Sequence, residues 1–104
     1  MIGTWVIDAH VARILLHGVT FPKGTKFKPG KCVDYMILME RGEWDINLSR
    51  QSWIVRSGTV LKNGLHRLSA IASLGDREGL NFTFPVAILG TGQDITPEGK
   101  VIQL

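Results

Sequence analysis

Apolar and polar positions switch between two periods along this chain, and the switches predict its elements. Trp5-Val6-Ile7 is a short β-prone run. Asp8 then offers a side-chain cap for a helix over Ala9–Leu16, with Val11, Ile14 and Leu15 expected on one face and Gly18 just past its end. Residues 18–30 show no periodicity and read as the longest irregular stretch. A second helix is expected from Lys31 to Arg41, with Val33, Met36, Ile37 and Met39 or Glu40 spread over its faces and Gly42 as its stop. Trp44 is expected to pack back onto the core, and Tyr35, Met36 and Met39 read as core side chains rather than a cofactor stripe.

The second half is denser in β-formers. Trp53-Ile54-Val55 and Thr59-Val60-Leu61 flank Arg56-Ser57-Gly58 and read as a hairpin on a glycine turn. Asn63-Gly64 is a further turn, after which His66 and Arg67 open a helix with Leu68, Ile71, Ala72 and Leu74 largely at helical spacing and Gly75 as its left-handed terminus. Phe82, Phe84, Val86 and Ile88 are expected on one side of a strand over residues 81–89. Pro85 has no N–H to donate, so that strand lies at an edge or begins its pairing after the proline. Gly90-Thr91-Gly92 breaks it, and residues 101–104 read as a last short strand. The alternation predicts an α/β (α+β) fold: a small mixed sheet of four or five strands with surrounding helices, in a single domain over residues 1–104.

Composition narrows the class. Hydrophobic content of 44% with 20% charged residues fits a compact globular chain. No apolar run approaches the roughly 18 to 20 residues needed to span a bilayer, and the N-terminus does not read as a signal peptide. The single cysteine, Cys32, has no internal partner; it fits a reducing, cytoplasmic setting and reads as a packed or semi-exposed thiol. His10, His17 and His66 are scattered, so no metal site is expected. The formal charge of +3 is modest. Lys23, Lys26, Lys28 and Lys31, interleaved with Phe21 and Phe27, form either a solvated connection or a contact for nucleic-acid backbone or nucleotide phosphate. Trp5, Trp44 and Trp53 are many for a core this size; they predict a homodimer with an exposed tryptophan anchor, unless all three are internal.

The chemistry concentrates at Asn63-Gly64-Leu65-His66-Arg67-Leu68. A glycine turn feeding a helix start presents free backbone N–H groups beside a cationic side chain, which is a physical recipe for holding phosphate. Arg67 and the first-turn amides would bind the anion, Asn63 and Gly64 would shape the loop, and Ser69 would lend a hydroxyl. The competing structural assignment has His66 packing the turn and Arg67 pairing with Asp76 or Glu78.

Gly64-Leu65-His66-Arg67-Leu68 resembles the signature of the ParB/sulfiredoxin-like superfamily. The resemblance extends to the order of elements over roughly residues 5 to 90: an opening helix, a second helix ending in Gly42-Glu43-Trp44, an apolar strand at Ser52–Val55, then the signature and its helix. It implies a nucleotide-binding, DNA-associated regulatory or scaffold module of a phage or mobile element, with a nucleoside triphosphate and magnesium as the implied ligands. Longer relatives continue into helical DNA-binding or effector segments, so the chain reads as the bare core domain. Two departures matter. Asn63 replaces the family's usual Asp, which keeps turn geometry but removes a carboxylate. Leu65 stands where sulfiredoxins carry their reactive cysteine, so sulfinic-acid reduction has no nucleophile. The alternatives are a nucleotide hydrolase or nuclease of the same fold, or a degenerate protein-interaction module. Among Asp34, Glu40, Glu43 and Asp45, Glu43 is the best candidate for acid–base or metal work, against an ordinary role as a surface carboxylate balancing Arg41.

Overall fold

Asp8 sets the first turn of the chain in place. Its Oδ1 accepts from the Val11 N–H at 2.9 Å, which fixes the start of α1 (Ala9–Leu16) directly after strand β1 (Ile2–Ile7). This computed structural model describes residues 1–44, 53–75 and 79–104. In chain order there follow α2 (Pro29–Glu40), β2 (Ile54–Ser57), β3 (Val60–Asn63), α3 (Leu65–Leu74), β4 (Phe82–Leu89), β5 (Gln93–Ile95) and β6 (Val101–Gln103). Ser52, Asp45, Asp76 and Glu78 lie outside the described residues. No helix among those described is long and apolar enough to cross a membrane.

The main sheet has the order β1-β4-β2-β3, antiparallel at both flanks and parallel between β4 and β2. The fold is therefore mixed α+β, as the alternation of periods predicts. Strand alternation gives the sheet two apolar faces. One carries Ile7, Ile54, Leu61, Phe84 and Val86, which pack with Ala12, Leu15, Cys32, Met39, Leu68 and Ile71 of the three helices. The other carries Val55, Ala87 and Leu89, covered by Trp53, Ile95 and Val101. The helices thus gather on one face, and the separate β5–β6 hairpin caps the other.

Several expectations are corrected by these contacts. The buried face of α1 is Ala9, Ala12 and Leu15, while Ile14 is exposed. On α2, Cys32 and Met39 are buried and Val33 and Ile37 face solvent. Strand β4 is central rather than at an edge, and on its β2 side the pairing begins after the proline, the other arrangement that Pro85 allows. Ile88 donates its N–H to Met1 on the β1 side, so alternation turns the Pro85 nitrogen toward β2, whose ladder begins only at Val86. Apolar residues consequently line both of its faces. Trp5 and Trp44 pack against the helix-side core and Trp53 against the other, each of them partly buried.

Candidate functional site

The start of α3 depends on Gly64. Its φ of +113° is a conformation that side-chain-bearing residues avoid, and a Cβ there would lie 2.6 Å from Ile54 Cδ1. Gly64 also caps the helix without a side chain, accepting from the Leu68 N–H at 2.9 Å and leaving the amides of the first turn without a side-chain cap. Gly64, Leu65, His66 and Arg67 line a recess of about 240 Å³ whose wall also includes Lys31, Tyr35 and Lys62. Three of those side chains are cations, and no carboxylate contributes to this lining among the described residues.

Lys62 arrives through an irregularity in the hairpin. Val55 opposes Asn63 whereas Arg56 opposes Leu61, so Lys62 is an extra residue in β3. Such a bulge re-aims side chains at the end of a ladder. The Lys62 ammonium donates to the Gln93 carbonyl at 3.2 Å and lies 3.5 Å from Asp94 Oδ1, a half-exposed pair of small energetic weight. Lys62 and Asn63 also line a second recess of about 440 Å³, formed by Trp53, Val55, Ile95, Pro97 and Pro22. The two recesses share this lysine and asparagine as a common wall.

Asn63 and Arg67 converge on one acceptor. Asn63 Nδ2 and Arg67 Nη2 donate to the Trp53 carbonyl at 2.8 and 3.0 Å, clamping the end of β3 and the start of α3 to the start of β2. Arg67 is only 4% exposed and its guanidinium lies 5.6 Å from the Phe84 ring centroid. Burial pulls its pKa down to about 10, with Tyr35 acting in the opposite direction. It remains a cation at neutral pH.

His66 is likewise engaged. Its Nε2 accepts from the Lys28 N–H at 2.8 Å, and its ring stacks on Phe27 with centroids 5.4 Å apart and planes 5° from parallel. Accepting at Nε2 requires the neutral imidazole, and desolvation, followed by Lys31 and Lys28, lowers its pKa. This side chain fastens the end of the 18–30 loop to the helix start.

Among the five residues expected to bind phosphate, Asn63, Gly64, His66 and Arg67 border the recess, while Ser69, half-buried on α3, is not part of its lining. Lys31, Lys62 and Tyr35 escaped the sequence reading as members of the site. Lys31 was legible only as part of a basic loop, and the Lys62 bulge leaves no local signal. Asp34, Glu40 and Glu43 are exposed and line neither recess. Among the described residues, no group of three His, Cys, Asp or Glu side chains is placed to hold a metal ion. The chain matches no family model, no curated protein and no solved structure.

Proposed function

We propose that this protein is a nucleotide-binding module of the ParB/sulfiredoxin-like kind, with DNA-associated regulation as its setting. The observation that carries the reading is the cationic recess at the start of α3, where Lys31, Lys62 and Arg67 accompany first-turn amides that no side chain caps, with no carboxylate among the described residues that line it. Polyphosphate enters there. The nucleoside crosses the shared Lys62–Asn63 wall into the recess lined by Trp53, Val55, Ile95 and Pro97, apolar surface that suits a planar base beside the polar Asp94 and Thr96.

Binding is favoured over turnover. His66 Nε2 is committed to the Lys28 N–H, so it is not free to take a proton from an attacking water. Magnesium, if it accompanies the nucleotide, would be held chiefly by phosphate oxygens and water.

Thermal unfolding with CTP, ATP, GTP, ADP and inorganic triphosphate, each with magnesium, tests the proposal. At a ligand concentration of about 100 times Kd the stabilisation is about 2.7 kcal/mol. For a domain of this size that raises Tm by roughly 10–20 °C. Lys31→Ala and Lys62→Ala are expected to weaken binding by roughly tenfold or more each, the usual worth of a charge-assisted contact. No shift with any of these ligands at millimolar concentration would refute the reading.

A further inference from the structure

The loop between α1 and α2 is fastened at both ends yet presents two aromatic rings to solvent. At its start, Thr20 bridges to Val60: its N–H donates to Thr59 at 2.8 Å and its carbonyl accepts from Leu61 at 2.9 Å. At its end, the Lys28 N–H is held by His66. Between these points a turn from Pro22 to Thr25, with Gly24 at a φ of +88°, shapes the segment. Phe21 is 43% exposed and Phe27 52% exposed. Rings left open on a loop tied down this firmly are not serving the core.

The surrounding charge has one sign. Lys23, Lys26, Lys28 and Lys31 are all exposed, and the sequence carries no acidic residue between Asp8 and Asp34. Phe27 is held parallel to the His66 imidazole, which fixes it as a flat platform rather than a flexible wedge.

We propose that this loop is a binding surface for single-stranded nucleic acid, distinct from the nucleotide recess. Unpaired bases stack on Phe21 and Phe27 while Lys23, Lys26 and Lys28, which line neither recess, follow the phosphate backbone. Stacking on protein rings needs bases that are not already stacked in a duplex, which selects the single strand. The fixed ring platform favours a strand over an anionic lipid surface, whose acyl chains ask for apolar volume and not for parallel ring faces.

The test is fluorescence anisotropy of the full chain with labelled single-stranded DNA and RNA oligomers of about 12 nucleotides, within the usual range of site sizes. Three lysines outside the nucleotide recess engaging phosphates give an affinity loss of roughly 20-fold between about 50 and about 200 mM salt. Phe21→Ala is expected to weaken binding by roughly 5- to 100-fold, the range for one stacked base. Lys23→Glu/Lys26→Glu should remove most of the affinity, and Lys23→Gln/Lys26→Gln serves if the charge reversals impair folding. Melting curves of each variant with nucleotide keep the two sites apart, because Phe21, Lys23 and Lys26 do not line either recess. Retained nucleotide shifts with lost oligomer binding support the proposal. No oligomer binding by the wild type, undiminished binding by the variants, equal affinity for a duplex, or capture by phosphatidylserine vesicles in preference to oligomers would each overturn it.

Discussion

Replacing Gly64 by alanine tests how the helix start is built. Two costs are expected from the geometry. The backbone at φ +113° lies outside the conformations open to alanine, a strain of about 1–3 kcal/mol. The new Cβ also meets Ile54, at 2.6 Å from Cδ1 and 3.6 Å from the backbone Cα, in a side chain that is fully buried. Overpacking of this kind costs about 1–3 kcal/mol. Together these give about 2–6 kcal/mol, a large part of the stability of a small domain. In thermal unfolding this is a fall in Tm of roughly 8–48 °C. The two costs separate in a double-mutant cycle with Ile54→Val, which deletes the Cδ1 carbon at the closest contact. Relief of that clash should appear as a favourable coupling of about 1 kcal/mol, whereas the backbone strain should persist. Chemical denaturation of the four proteins supplies the numbers. A loss below about 1 kcal/mol for Gly64→Ala, or strict additivity in the cycle, would refute this account of the helix start.

Arg67→Ala is expected to destabilise the unliganded protein by about 2–4 kcal/mol, since it removes a charge-assisted hydrogen bond to Trp53 and the contact with Phe84; unchanged urea denaturation would show that the buried guanidinium is dispensable. His66 gives a pH dependence of definite sign. Its folded pKa lies below 6.5, so its contribution is fully present above that value and is lost as pH falls through the unfolded and then the folded pKa. His66→Gln keeps an acceptor for the Lys28 N–H without titrating, so wild type should lose stability relative to this variant as pH falls through and below 6.5; a constant difference would contradict the latch. Phosphate release from nucleoside triphosphates is expected to be slow or absent and unaffected by Glu43→Gln, because Glu43 is exposed and away from both recesses. Brisk turnover lost in that variant would make the protein an enzyme.

Local chemistry in the sequence determined a great deal. Asp8 followed by an apolar period specifies α1 to the residue, because a cap hydrogen bond spans only three positions. Gly58 and Gly64 announce the hairpin turn and the α3 start, since both need a positive φ. The Asn63–Arg67 turn that borders the recess was legible for the same reason, being contiguous in the chain. What only the tertiary structure decided is the partner of each surface. Ile14, Val33 and Ile37 fit an apolar helical face yet remain exposed, because the adjoining residues met the sheet and α3 first. Pro85 signals either an edge strand or pairing that starts after the proline, and only the sheet order decides between them: β4 is central and its β2 ladder begins at Val86. Arg67 looks like a surface cation and is buried beside Phe84, and the Lys62 bulge that joins the two recesses depends on register with β2. Caps, turns and periodicity act over a few residues and can be read along the chain; register, burial and the convergence of cations depend on which distant segments pack together.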